Sequence, residues 1–256
     1  MRKSMPRIRL IIQYDGTGYV GWQTQPNGVA VQEVLEKELG KLTGEKISLH
    51  ASGRTDSGVH AMAQVAHFDT ESRIPSDKFA YALNVGLPGD IRVIYSDRAE
   101  DFHARFDVIK KHYRYTVNNA PHAGAFNRNT ALHYHYALDM GRMNGAAADL
   151  LGEHDFSAFK SAGTELESTV RTIYGAEWSR EGNILTFDIA GSGFMYNMVR
   201  IIVGTLLEIG SGRRNADSVK KALQSLNRRD AGATAPARGL MLYRVEYPGF
   251  DTAEFL

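Results

Sequence analysis

The feature that most narrows what this chain can fold into is a regular alternation between strand-like and helix-like hydrophobic periods. Residues 8 to 14 (IRLIIQY) read as a strand, and Val31, Leu35, Leu39 and Leu42 fall on one face of a helix that closes near Gly44. Residues 47 to 52 (ISLHAS) and 63 to 69 (AQVAHFD) read as strands. A helix from about Ser76 to Val85, capped by Ser76 and stopped before Leu87-Pro88-Gly89, leads into a strand at 91 to 97. The order β-α-β-β-α-β is that of a split βαβ, or ferredoxin-like, unit.

The rest of the chain follows a similar grammar. Strands are expected at about 110 to 118, 171 to 179, 184 to 190 and 240 to 247, with helices at about 139 to 151, 195 to 209 and 216 to 226. Arg180-Glu181-Gly182-Asn183 is the clearest hairpin turn. No sequence-level repeat relates the two halves. No flexible linker divides them either, so one continuous sheet is expected.

Composition removes several chemistries. The chain has 256 residues, 43% of them hydrophobic, enough to bury a core of one large domain or two small ones. It has no cysteine, so disulfides, thiolate nucleophiles and cysteine-ligated metals are out. The start, Met1-Arg2-Lys3-Ser4-Met5-Pro6-Arg7, is basic and lacks the apolar centre of a signal peptide. The long apolar run from Met198 to Leu207 holds Arg200 and is too short to span a bilayer. A soluble, cytoplasmic protein is expected.

The net charge of +1 says nothing of partners, but its distribution does. Arg105, Lys110, Lys111 and Arg114 cluster with His103 and His112, and Arg200, Arg213, Arg214, Lys220, Lys221, Arg228 and Arg229 form a second group. Such patches suit phosphate, though solvated helix and strand faces also carry them.

Two motifs point the wrong way. Gly16-Thr17-Gly18-Tyr19-Val20-Gly21 matches G-x-G-x-x-G after a strand. A dinucleotide loop needs its last glycine within a helix, and here Trp22 to Gly28 continues as loop, so a structural glycine-rich turn is expected. His60, His67 and Asp69 lack ligand spacing, and histidines bonded to backbone are the better reading.

The stretch Ser52-Gly53-Arg54-Thr55-Asp56-Ser57-Gly58-Val59-His60 sets one aspartate between two glycines on a strand connection. Gly53 and Gly58 would let the backbone turn sharply and present Asp56 on a rigid loop. Taken alone, an Asx turn explains such an aspartate as well. Arg200 alters the balance, because a guanidinium within an apolar helix needs a carboxylate partner or leaves a costly unpaired charge. Asp56 is one of few acids placed to serve, although this reasoning does not choose it uniquely. Pairing would keep it ionised, as a nucleophilic carboxylate must be.

The chain resembles the tRNA pseudouridine synthase A (TruA) family along nearly its whole length. The resemblance is carried by Tyr14-Asp15-Gly16-Thr17 with Gly21-Trp22-Gln23, Gly53 to His60, Leu87-Pro88-Gly89-Asp90-Ile91, Phe102-His103-Ala104-Arg105-Phe106 and Tyr113-Arg114-Tyr115. His154-Asp155-Phe156, Arg171-Thr172-Ile173, Asn197 to Arg200, and Thr234-Ala235 with Gly239-Leu240 continue it in the family's order. Met241 departs from it, since many relatives carry an aromatic there.

The resemblance implies an α+β fold of two ferredoxin-like halves, 1–105 and 106–256, sharing a continuous mixed, mainly antiparallel sheet with helices on one face and a cleft on the other. It implies conversion of uridine to pseudouridine at positions 38, 39 and 40 of the tRNA anticodon stem-loop by a homodimer without cofactor or metal. Carried over residue by residue, Asp56 is the nucleophile, Tyr113 packs against the target uracil and Arg200 pairs with Asp56. Arg54 helps hold the target nucleotide out of the stem and Arg105 contacts RNA nearby. A non-catalytic RNA-binding module on the same scaffold is the rival reading.

Overall fold

A computed structural model of the chain describes residues 5–161 and 167–256, so the basic start at Met1–Ser4 lies outside the described residues. The chain divides into two compact units, one running to Ile109 and resuming at Leu242–Leu256, the other Lys110–Met241. The first holds β1 (Arg7–Tyr14), α1 (Val31–Thr43), β2 (His50–Ala51), β3 (His60–Asp69), α2 (Phe79–Gly86) and β4 (Ile91–Arg98). The second holds β5 (Lys110–Asn118), β6 (Leu132–His133), α3 (Met140–Ala148), β7 (Gly152–Asp155), β8 (Val170–Glu181), β9 (Ile184–Gly191), α4 (Met198–Gly210) and α5 (Ser218–Ser225). The chain passes back into the first unit along β10 (Leu240–Tyr247) and ends in β11 (Phe250–Asp251) and a short 3-10 turn.

In the first unit β1 is flanked by antiparallel β3 (Ile8↔Phe68, Leu10↔Ala66) and antiparallel β4 (Leu10↔Ser96). β2 adds to the far side of β3 through His50↔His67 and Ala51↔Ala66. The element order and this pairing are those of a split βαβ. β1 and β3 supply Leu10, Ile11, Ile12, Val65 and Phe68 to a core that α1 closes with Val31, Leu35 and Leu39. Each such side chain contributes about 1.5–3 kcal/mol on burial. Gly44 ends α1 in the left-handed region (φ 74°), its N–H donating to the Gly40 carbonyl at 2.9 Å.

In the second unit β9 runs antiparallel to β5 (Tyr113↔Ile189) and to β8 (Trp178↔Phe187), and β7 extends the edge (Gly152↔Ile173). β6 lies parallel to β5 over Val117↔Leu132. Gly182 makes the β8–β9 turn at φ 56°. The α+β, mainly antiparallel architecture that the resemblance implies is therefore the one adopted. Among the described residues no helix is long and apolar enough to cross a membrane.

Three local expectations fail, for identifiable reasons. The strand expected over 47 to 52 pairs only at His50–Ala51, because α1 side chains take the preceding backbone: Leu49 N–H donates to Glu36 Oε1 at 2.9 Å and the Leu49 carbonyl accepts from Gln32 Nε2. Ser76 does not cap α2. It lies in a 3-10 turn, and the hydroxyl of Ser96 on β4 accepts the Ala80 N–H at 3.0 Å instead. Strand β3 starts three residues before the expected 63, pairing Ala61 with Tyr14 beyond a bulge in β1.

Candidate active site

Asp56 stands part-exposed on the connection between β2 and β3, in a loop held by several of its neighbours. Gln64, fully buried on β3, accepts from Ser52 Oγ at 2.6 Å and donates to the Gly53 carbonyl at 2.9 Å. The Tyr14 hydroxyl bonds Thr55 Oγ1 at 2.7 Å, and burial pushes the pKa of that phenol up. Beyond Asp56 its own carbonyl accepts the Val59 N–H at 3.1 Å, closing a tight turn in which Gly58 is left-handed (φ 76°). Gly53 contributes its carbonyl, which accepts from Gln64 Nε2.

The glycine-rich segment after β1 explains itself here. Trp22 N–H donates to the Thr55 carbonyl at 3.1 Å, and Gly58 N–H and Ser57 Oγ both donate to the Tyr19 carbonyl at 3.3 Å. A Cβ on Gly16 would lie 2.0 Å from the Val59 carbonyl oxygen, and one on Gly21 2.5 Å from that of Thr55. The pattern that imitates a dinucleotide fingerprint exists so that one backbone segment can lie directly against the loop bearing Asp56.

The expected backbone roles of the histidines also hold. Gly16 N–H donates to His60 Nδ1 at 3.0 Å and Ala104 N–H to His67 Nδ1 at 3.1 Å. Burial, with Arg7 and the neighbouring His103 and His50, pulls the His67 pKa down to about 4. Among the described residues no group of three His, Asp or Glu is placed to hold a metal ion.

Arg54 is exposed between two anchored residues, Gly53 and Thr55. Arg105 is exposed on the turn between β4 and β5. That turn is held by His103, whose Nδ1 accepts the Arg105 and Phe106 N–H groups at 3.1 and 3.2 Å, and by Tyr247, which donates to the Ala104 carbonyl at 2.7 Å.

In the second unit Tyr113 lies on β5, 9% exposed, with the Phe194 ring edge-on at 5.2 Å. Arg200 lies on α4, a helix otherwise buried along most of its length. Its Nε donates to the Ala235 carbonyl and its Nη1 to Asn197 Oδ1, both at 2.7 Å, while Ala235 N–H returns a bond to the Arg200 carbonyl at 3.0 Å. Gly204 permits this approach, since a Cβ there would meet the Ala233 carbonyl at 1.8 Å.

A family model described as tRNA pseudouridine synthase matches residues 10–107 and 146–248. The chain belongs to the tRNA pseudouridine synthase family. The tRNA pseudouridine synthase A of Ruminiclostridium cellulolyticum is 48% identical over 245 residues, covering 95% of this chain and all of that protein. That of Acetivibrio thermocellus is 49% identical over 244 residues with the same coverage, and that of Bacillus subtilis is 48% identical over 244. Among solved structures, the archaeal box H/ACA sRNP Nop10–Cbf5 complex is similar at 11% identity and a TM-score of 0.36, over 78% of this chain and 44% of that one.

As a member of this family the chain is an isomerase that turns uridine in tRNA into pseudouridine, not a non-catalytic RNA-binding module. Sequence reading passed over several residues that shape this pseudouridine synthase's candidate site. Gln64 sits in an apolar strand with no cost visible in its pattern, and a buried carboxamide there was the available signal. Asn197 adopts φ 60°, which asparagine tolerates better than most residues and which often marks functional sites. Much of the second basic cluster turns out structural: Arg214 pairs with Glu208 at 2.8 Å, Lys221 with Asp217 at 2.9 Å, and Arg228 donates to the Gly232 carbonyl at 2.8 Å.

Proposed function

We propose that this synthase isomerises uridines 38, 39 and 40 of the tRNA anticodon stem-loop, with Asp56 as nucleophile, acting as a cytoplasmic homodimer that uses no metal or cofactor. The observation that carries the reading is the anchoring of the loop before Asp56 by the bonds of Ser52, Gly53 and Thr55, and after it by the Gly58 N–H on the Tyr19 carbonyl and the Val59 N–H on the Asp56 carbonyl. A carboxylate so placed needs little reorganisation to meet a reacting atom.

The target nucleotide leaves the stem at a cost of a few kcal/mol in lost stacking. Arg54 occupies the space it vacates, Arg105 engages nearby RNA, and Tyr113 offers an aromatic face to the uracil. The Asp56 carboxylate attacks ribose C1′ or uracil C6, the C1′–N1 bond breaks and the base turns. A C5–C1′ bond then forms, Asp56 is expelled as a carboxylate from C1′ as that bond forms or from C6 afterwards, and a base, for which Tyr113 is the candidate, removes the C5 proton while N1 gains one. Atoms balance without redox or phosphate input. Arg200 keeps Asp56 ionised. The halves divide the work, 1–105 carrying the nucleophile loop and 106–256 the tyrosine and arginine.

Incubation with unmodified tRNA tritiated at uridine C5 tests the assignment. Tritium release from the anticodon arm is expected, and loss of that release in Asp56→Asn with tRNA binding retained. Equal release by the variant removes Asp56 from the chemistry.

A further inference from the structure

The second unit carries an exposed, rigid array of rings and arginines to which the proposed chemistry gives no role. Residues His133, Tyr134, His135 and Tyr136 alternate along one segment, with Tyr134 and Tyr136 edge to face at 5.4 Å and His135 and Tyr136 at 4.1 Å. Tyr136 is 53% exposed. The segment is not a loose loop. Asn119 Nδ2 donates to the Tyr134 and Tyr136 carbonyls at 2.6 and 2.9 Å, Tyr134 N–H donates to the Asn118 carbonyl at 2.9 Å, and His133 Nε2 lies 2.9 Å from the Ala120 carbonyl.

Arg213 lies above both tyrosines, its guanidinium 5.7 Å from the Tyr134 ring centre and 5.5 Å from that of Tyr136. It donates to the Tyr134 hydroxyl and, at 3.1 Å, to Ser211 Oγ. Among the described residues no carboxylate pairs with it. Glu208, the acid that feels its charge, is already engaged by Arg214 Nε at 2.8 Å and Ala233 N–H at 3.0 Å. Arg142, also exposed, donates from Nη2 to the Arg214 carbonyl at 3.3 Å, and its Nη1 would lie 3.8 Å from a Cβ on Gly212. The acid beside it, Asp139, caps α3 by accepting the Arg142 N–H at 3.0 Å.

An exposed arginine held in place by hydroxyls and rings, with no acid to neutralise it, is preorganised for an anion. A neighbouring open aromatic face is what an unstacked base uses. We infer that Tyr136, Arg213 and Arg142 form a second RNA contact, Tyr136 stacking on a base and the arginines taking the adjoining phosphates. This rests on tRNA being the substrate. The ligand is a nucleotide step of the tRNA, bound in addition to the target uridine.

The test measures Kd for full-length unmodified tRNA across a salt series with Arg213→Ala, Tyr136→Ala and Tyr136→Phe, each checked by thermal unfolding and sedimentation. Arg213→Ala is expected to raise Kd about tenfold and to lower the slope of log Kd against log salt by roughly 0.9, one phosphate's worth. Tyr136→Ala is expected to raise Kd about tenfold without altering the slope, and Tyr136→Phe to bind as the parent does. Unchanged Kd and slope in both alanine variants overturn the inference. So does a loss of affinity that follows a shift in sedimentation, which would make this face a contact between copies of the chain. Absence of tritium release by the parent protein would instead strike the catalytic reading and leave the Kd comparison standing.

Discussion

The three glycines of the segment after β1 make a graded experiment, because the structure gives each a different environment. Gly21 combines a left-handed backbone (φ 108°) with a hypothetical Cβ 2.5 Å from the Thr55 carbonyl oxygen and 3.1 Å from the Asp56 carbonyl carbon. Alanine there forces a backbone conformation costing on the order of 1–3 kcal/mol. It also pushes away a carbonyl whose bond to Trp22 N–H, worth about 1 kcal/mol, holds the loop. Gly21→Ala should therefore destabilise by about 2–4 kcal/mol, which for a chain of this size lowers Tm by roughly 5–15 °C. Gly16 has an ordinary φ but a Cβ position 2.0 Å from the Val59 carbonyl, so overpacking of about 1–3 kcal/mol is expected. Nothing lies within 4 Å of a Cβ on Gly18. Gly18→Ala should be neutral or stabilising by about 0.4–1 kcal/mol, through the unfolded chain.

Activity should follow the same ranking. A displacement of the Asp56 loop by about 1 Å is enough for a loss near 10²-fold in single-turnover rate. A nucleotide fingerprint ranks the glycines otherwise, since its second glycine is the one the ligand approaches. Thermal unfolding and tritium release on the three variants decide the matter. Gly18→Ala as damaging as Gly21→Ala, or Gly21→Ala with parental Tm and rate, would refute the reasoning.

Two further outcomes follow from the geometry. Asn197→Ala, which must hold φ 60° and no longer accepts from Arg200, should lose about 1 kcal/mol of stability and most of its turnover; Asn197→Gly should recover the stability but not the turnover, as read by urea unfolding beside tritium release. His67 is held near pKa 4 when folded against 6.5 ordinarily, so the unfolded chain binds the extra proton between those values. Its contribution is complete above pH 6.5 and falls away as pH drops toward 4. Urea unfolding across that range should show a slope that His67→Gln flattens, and an unchanged slope removes His67 as its source.

The regular elements were legible where a side chain's own period decides the structure. β9 buries alternate residues along its length and β5 buries Tyr113, Tyr115 and Val117, while α1 places Val31, Leu35 and Leu39 on one face before a left-handed glycine. Legibility stopped where a backbone group found a partner far along the chain. Ser76 had the local chemistry of a cap, yet Ser96 has the geometry, and Glu36 takes the Leu49 N–H that a strand neighbour would have used. The candidate site shows the same division. That a half-buried guanidinium demands acceptors could be argued from Arg200 in its apolar helix, but not that a main-chain carbonyl at Ala235 and a left-handed Asn197 supply two of them. The glycine motif is the sharpest case, because tight approach to a ligand's phosphate and tight approach to another stretch of backbone ask the same thing of a sequence, namely the absence of a Cβ. Only the identity of what approaches separates them, and here it is the carbonyls of Thr55 and Val59, on either side of Asp56. A glycine pattern is thus a statement about proximity, and its chemistry belongs to the segment it lies against.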